Sequence, residues 1–304
     1  MKKTAALLLS CLLIVTTACS HGTGTVSSSG APKSSSVSTA ESTGSQTETD
    51  SALPSGSSSA AVSSQTDSSE TASSEDATVA LTFPEGFTLA QIGKRLEANG
   101  VCKKADFLKM AQSYDFDYYP LVKAIPSSAK RAYKLEGYLY PDTYELYKNM
   151  KPQDVIGKFL RNAGQQIPGK YSYSGMTTDQ LITLASIIER EADDAANMKT
   201  VSSVLHNRLK AGQRLEADAT RDYCTQYLLA PNGPFADVYK YYYNTYRCAA
   251  LPAGPICNPG SAALSAAANP SSTGYYYFIT AKGKYYYQKT LAEHEAKLKE
   301  LGMT

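Results

Sequence analysis

The sequence predicts an α+β fold, with helices and short antiparallel strands segregated rather than alternating. Three observations predict it. Capping signatures at Thr88, Thr177 and Thr290 each open a run with apolar residues at helical spacing. Tyrosine-rich and β-branched runs flank turn signals near Val79 and at Lys282-Gly283. No strand–helix alternation of the kind that builds a parallel sheet is present, and no internal repeat.

In chain order, VALTFPEGFT from Val79 reads as a strand and turn. Thr88 then caps a helix, with Gln91 completing the capping box, Leu89, Ile92 and Leu96 facing inward and Gly100 stopping it. Ala105 to Ala111 is a second short helix carrying Phe107, Leu108 and Met110. The tyrosine-rich run Leu135 to Leu146 is expected to be extended. Pro152 suits the first turn of a helix whose buried side is Val155, Ile156, Phe159 and Leu160. Thr177 and Gln180 open the next, with Leu181, Leu184, Ala185 and Ile188 inward. Met198, Val201, Leu205 and Leu209 mark another, ended by Gly212. A long irregular stretch rich in Pro and Gly follows. Tyr275–Thr280 and Lys284–Gln288 then form a hairpin, and Thr290 with Glu293 caps a last helix to Leu301.

The first 19 residues have the form of a secretory signal: basic Lys2 and Lys3, an apolar core from Ala5 to Val15, and small residues before Cys19. That core is shorter than the roughly 20 residues a membrane span needs. Cys19 is a candidate for lipidation; ordinary cleavage near Ala18 and an uncleaved anchor are the other readings. Residues 20–78 are Ser, Thr, Ala and Gly with scattered acids and almost no large apolar side chain. Such a segment cannot bury enough surface to offset chain entropy, so a disordered tether spanning on the order of 40 Å is expected.

A formal net charge of +2 argues against nucleic-acid binding, while the acidic tether leaves the folded part more basic, which suits an anionic polymer. Cys224–Cys248 and Cys248–Cys257 are possible disulfides, and free thiols are an equal reading. His21, His206 and His294 have no second ligand at metal-site spacing, and phosphate-cradling Gly-rich loops are missing, so neither metal nor cofactor is expected.

The chemistry concentrates in LEGYLYPDTYEL, from Leu135 to Leu146. Glu136 precedes a glycine that permits close approach, and Tyr138, Tyr140 and Tyr144 supply flat faces suited to sugar rings. Apolar neighbours raise a carboxyl pKa and keep it protonated as a general acid. A solvated or paired acid is the plainer reading of the same residues. Asp142 would lie about 20 Å from Glu136 along an extended chain, too far to share one glycosidic bond, and reads as a turn or cap residue. Glu189 shares a helical stripe with Ile182 and Ala185 and could face a cleft; with Glu191 it could equally pair with Arg190 or Arg208. Asp218, Thr220, Asn244 and Tyr246 lie in loop-like segments, where they could bind substrate or stitch loops together. Asn258 is expected to shape a turn.

Four blocks together resemble the YceG-like endolytic murein transglycosylase family (MltG type): LEGYLYPDTY at Leu135, LASIIEREA at Leu184, VLHNRLKAGQRLEADAT at Val204, and the run from YNTY at Tyr243 to LPAGPICNPG at Leu251, continued by YYYFIT at Tyr275. Their order and spacing match over about Val79 to Leu301. The resemblance implies a partial LysM-like unit over 79–125, a YceG-like catalytic domain over 126–304 and Glu136 as the catalytic glutamate. It implies substrate contacts at Tyr138, Tyr140, Glu189, Asp218, Thr220, Asn244 and Tyr246.

It further implies cleavage of peptidoglycan strands on the outer face of a bacterial membrane, with peptidoglycan synthases as partners. Ala219 stands where the family usually has Pro, and a signal with a lipoprotein-like cysteine replaces the usual membrane-spanning helix. A lytic transglycosylase needs one enzyme carboxyl, because the muramic acid's own C6 hydroxyl attacks and leaves a 1,6-anhydro end. A two-carboxylate hydrolase and a non-catalytic wall-binding lipoprotein are the competing expectations.

Overall fold

The computed structural model of the chain describes residues 78–228 and 238–303. The expected signal, Cys19 and the tether as far as residue 77 lie outside the described residues.

Strand β1 (Thr78–Phe83) turns Leu81 and Phe83 inward, as its alternation requires. Its partner comes from far along the chain. β2 (Asp142–Tyr147) pairs with it antiparallel, with Leu81 opposite Tyr144 and Val79 opposite Leu146. Between the two strands lie α1 (Leu89–Ala98), α2 (Lys104–Ser113) and the single turn α3 (Pro120–Lys123). α4 (Pro152–Gln166) packs beneath the ribbon, where Phe159 meets Phe83 edge-on at 4.9 Å between ring centroids and Tyr144 at 4.1 Å.

The extended run expected through Glu136 is confined to Asp142–Tyr147. Lys134–Gly137 is a turn instead, closed by Tyr138 N–H donating to Leu135 O at 3.1 Å. Gly137 explains the difference. It sits at φ +88°, and a Cβ there would lie 2.4 Å from Pro255 Cβ. Gly137→Ala therefore forces both a left-handed backbone and a backbone shift, and is expected to cost about 2–3 kcal/mol in denaturant unfolding.

α5 (Thr178–Glu191) is the centre of the molecule, with Leu181 to Ile188 buried on every side. A helix that is apolar all round has to be enclosed. α6 (Ala195–Lys210), capped by Asp194, and α9 (Ser261–Ala268) enclose it. The expected irregular stretch also contains α7 (Asp218–Tyr223), a π-helical turn over Cys224–Leu228 and α8 (Val238–Tyr243). β3 (Tyr277–Ala281) and β4 (Lys284–Gln288) form the C-terminal hairpin, starting two residues later than Tyr275, and α10 (Leu291–Glu300) follows. The capping boxes at Thr88, Thr177 and Thr290 are all formed.

Candidate active site

The N-terminus of α1, the turn at Glu136, the end of α7 and the segment before α9 converge on one carboxyl group. Glu136 is 1 % exposed. Oε1 accepts from Leu89 N–H at 3.0 Å and from Asn258 Nδ2 at 3.3 Å. Oε2 accepts from the Tyr223 hydroxyl at 3.1 Å and, at 3.3 Å, from the same Leu89 N–H. Burial is the dominant influence and pushes the Glu136 pKa up to about 8, against the opposing pull of Leu89 N–H, the Tyr223 hydroxyl and the Arg131 charge. At neutral pH the group is mostly a neutral acid. Tyr223, Asn258 and the first turn of α1 close over it, so the carboxyl is enclosed by its hydrogen-bond partners.

Asn258 does more than shape a turn. Its Oδ1 accepts from Leu139 N–H at 2.8 Å while its Nδ2 donates to Phe87 O at 2.8 Å, locking the Glu136 turn to the α1 entry loop. Tyr138 offers no open face to a sugar. It is 1 % exposed, and its hydroxyl donates to Asp179 at 2.6 Å, where Asp179 also receives Arg131 Nη1 at 2.8 Å. Tyr140 is partly exposed near Glu85 and Ser261.

Glu189 is partly exposed at the end of α5 and accepts from Gly260 N–H at 3.1 Å. Burial and then the charge of Glu85 push its pKa up to about 7, with the Gly260 N–H opposing. Both Glu136 and Glu189 lie near enough to the buried Cys257 thiol to raise its pKa in addition to burial. Glu191 accepts from Ala219 N–H at 3.2 Å and is likewise pushed up to about 7, first by burial and then by Asp218 and Asp222. Glu189 thus feels the carboxylate of Glu85 and, opposing it, the charge of Arg190, the base expected as its partner.

Asp218, Thr220, Asn244 and Tyr246 come together, but with one another. The Tyr246 hydroxyl donates to Asp218 at 2.7 Å, Thr220 and Thr245 hydroxyls meet at 2.9 Å, and Asn244 Oδ1 accepts from Tyr246 N–H at 3.0 Å. Thr220 is fully buried. Asp142 holds Asn162 at 2.9 Å and Thr143 N–H at 2.8 Å. Cys102, Cys224, Cys248 and Cys257 are free thiols. Among the described residues no three of His, Cys, Asp and Glu gather as a metal site would require, and no helix is long and apolar enough to cross a membrane.

The raised carboxyls set a pH dependence of stability. A carboxyl whose folded pKa exceeds its ordinary value of 4.5 takes up protons on folding at intermediate pH. Stability is then full below the unfolded pKa and is lost as pH rises through the folded one. Melting temperature is expected to be highest near pH 5 and to fall toward pH 8, which scanning calorimetry across that window checks.

The profile of the YceG-like family matches residues 44–300. The chain belongs to the YceG-like family. Within it, the chain is 27 % identical over 248 residues to an endolytic murein transglycosylase of Streptococcus pneumoniae serotype 2 strain D39, covering 74 % of this chain and 45 % of that one. It is 32 % identical over 172 residues to the endolytic murein transglycosylase of Bacillus subtilis strain 168, covering 53 % of this chain and 46 % of that one. The chain thus spans less than half the length of these YceG-like relatives. A crystal structure described as a yceG-like protein from Listeria monocytogenes superposes with a TM-score of 0.59 at 33 % identity, covering 72 % of this chain and 75 % of that one.

Proposed function

We propose that the chain is an endolytic peptidoglycan lytic transglycosylase with Glu136 as its acid and base. The observation that carries this reading is a buried carboxyl held by Leu89 N–H, Asn258 and Tyr223, with burial raising its pKa, inside the block that carries the family resemblance. Oε1 is held by Leu89 N–H and the Asn258 amide, whereas the closest donor to Oε2 is the Tyr223 hydroxyl, so displacing that hydroxyl frees Oε2 to carry the acid proton. Oε2 gives that proton to the leaving N-acetylglucosamine oxygen. The resulting carboxylate is stabilised by Leu89 N–H at the positive end of α1, by Asn258 and by Tyr223. It then removes the proton from the muramic acid C6 hydroxyl, which closes on its own C1 as the 1,6-anhydro ring. Intramolecular attack replaces a second enzyme carboxylate, with effective molarities that reach roughly 10⁵ M or more.

Burial of Glu136 means that the Tyr223 ring has to shift for the linkage to reach Oε2, its hydroxyl returning to the carboxylate once the proton has left, while Asn258 stays fixed by Leu139 N–H and Phe87 O. Tyr223 also holds the Glu136 pKa down, because its hydroxyl favours the ionised form. Tyr223→Phe is expected to move the basic limb of kcat/KM to higher pH by about one unit, since a hydrogen bond to a charged group is worth about 1.5–3 kcal/mol. An unmoved limb would detach Tyr223 from the chemistry.

A two-carboxylate hydrolase is favoured by one specific observation. Glu85 raises the Glu189 pKa, and both carboxyls crowd Gly260, where an added Cβ would lie 1.7 Å from Glu85 Oε1. Hydrolysis by that pair would leave reducing ends and survive Glu136→Gln. The order β1–α1–α2–α3–β2, with its strands paired antiparallel, supports a LysM-like unit larger than 79–125, completed by β2. The signal and Cys19 support attachment to the outer face of the membrane, and peptidoglycan synthases as partners follow from strand cleavage there.

A further inference from the structure

A cavity of about 310 Å³ opens beside the turn that carries Glu136. Gln112, Asp117, Lys123, Ser128, Arg131 and Lys134 contribute its polar lining. The wall is braced rather than loose. Gln112 donates to Ala132 O and accepts from Lys134 N–H, both at 3.2 Å, and Arg131 N–H donates to Ser128 O at 3.1 Å. The charges are only partly balanced. Lys134 pairs with Asp117 at 2.7 Å, whereas Lys123 is exposed and makes no ion pair among the described residues.

Arg131 is the decisive residue. Its side chain is 5 % exposed, and Nη1 is bound to Asp179, yet Nη2 is buried with no hydrogen-bond partner among the described residues. A buried cationic donor left unpaired is costly, and folded proteins rarely keep one without a use for it. With Nε donating to Tyr133 O at 3.4 Å and Nη1 to Asp179, the one group of the guanidinium unpartnered among the described residues is Nη2, a charged donor that matches a carboxylate better than any neutral group. Arg131 also lies close enough to Glu136 to oppose the rise in its pKa, so a group held here is near the proposed site of bond cleavage.

We propose that this cavity binds a carboxylate of the substrate strand, with Arg131 as the buried anchor and Lys123 and Ser128 as accessory donors. The inference rests on the peptidoglycan reading and adds a recognition element to it. Two parts of that polymer carry the required chemistry: the lactyl carboxylate of a muramic acid that has lost its peptide, and the free carboxylates of a peptide stem. A volume of this size accommodates either group with part of its neighbouring residue.

The test uses the full chain and equilibrium titration followed by NMR, independent of turnover. The probes are N-acetylmuramic acid, its lactyl methylamide, N-acetylglucosamine, a free stem tetrapeptide and inorganic phosphate. One of the two carboxylate probes is expected to bind at least about tenfold more tightly than the methylamide and N-acetylglucosamine, the effect of one charge-assisted contact. Which of them binds identifies the source of the carboxylate. Lys123→Ala, on the exposed rim and therefore safe for folding, is expected to weaken that probe several-fold, and Arg131→Lys to weaken it about tenfold.

Equal affinity for N-acetylmuramic acid and its methylamide, with the tetrapeptide binding no more tightly than either, overturns the proposal. So does absence of binding by both carboxylate probes, phosphate binding as tightly as they do, or an unchanged affinity in Lys123→Ala. Sacculi digested by the wild type, with no carboxylate preference in the titration, sink this inference alone. Sacculi left undigested sink the peptidoglycan reading whatever the titration shows.

Discussion

Glu136→Gln is expected to lower release of soluble fragments from sacculi by about 10²–10⁴-fold while the fold persists. The amide keeps the shape of the carboxyl and can still accept from Leu89 N–H at the head of α1. It has no proton to give. The same substitution is expected to raise the melting temperature at pH 8. Burial holds the Glu136 pKa at about 8 against an ordinary 4.5, so ionising it inside the fold costs on the order of a few kcal/mol. The neutral amide removes that cost, and the melting temperature should fall less steeply between pH 5 and pH 8, with Glu189 and Glu191 setting the remaining slope. Loss of activity together with gain of stability is the signature of a group kept for chemistry. Loss of both would mark Glu136 as a cap for α1, and retained turnover would transfer the chemistry to Glu85 and Glu189.

Asp179→Ala is expected to be the most destabilising single change, about 3–5 kcal/mol in denaturant unfolding. Asp179 accepts from Arg131 at 2.8 Å and from Tyr138 at 2.6 Å, with the two charged side chains 5 % and 12 % exposed. Its removal leaves a guanidinium buried without a counter-ion and a phenol without an acceptor. Set against a typical total stability of about 5–15 kcal/mol, that loss puts much of the protein near unfolding. Arg131→Met with Asp179→Leu removes both charges and is expected to recover much of the loss, because an apolar pair carries no unpaired-charge penalty. A single substitution costing under about 1 kcal/mol would show that solvent reaches the pair freely.

Local rules made much of the fold legible. Thr88, Thr177 and Thr290 each sit three residues ahead of a Gln or Glu, a short-range pattern that survives folding because it satisfies orphan N–H groups at once. The Lys282-Gly283 turn declared itself for the same reason, both residues lying at positive φ. α9 did not. SAALSAAA has no charged residue and a single large apolar one, Leu264, too few to set a period, and its small side chains let it pack closely on α5 and α6. The pairing of β1 with β2 spans about sixty residues and has no local signal.

The candidate site divides in the same way. Glu136 and Gly137 are adjacent and readable together, since a carboxyl followed by glycine is a compact pattern. Tyr223 and Asn258 reach Glu136 from 87 and 122 residues away, and nothing near either of them announces it. Tyr138 misled by composition. An aromatic beside an acid suits a sugar platform, but this one faces the core because Asp179 and Arg131 hold its hydroxyl there. Asp218 and Thr220 lie on the short helix α7 rather than on a loop, and the hydrogen bonds they share with Thr245 and Tyr246 tie that helix to the segment after α8.

Digestion of sacculi in heavy-oxygen water, with mass spectrometry of the new glycan ends, tests the central claim most directly. If Glu136 protonates the leaving oxygen and the C6 hydroxyl supplies the attack, every new muramic acid end is one water lighter than a reducing end and carries no solvent oxygen. Reducing ends labelled with heavy oxygen, produced by the wild type and still produced by Glu136→Gln, would contradict it.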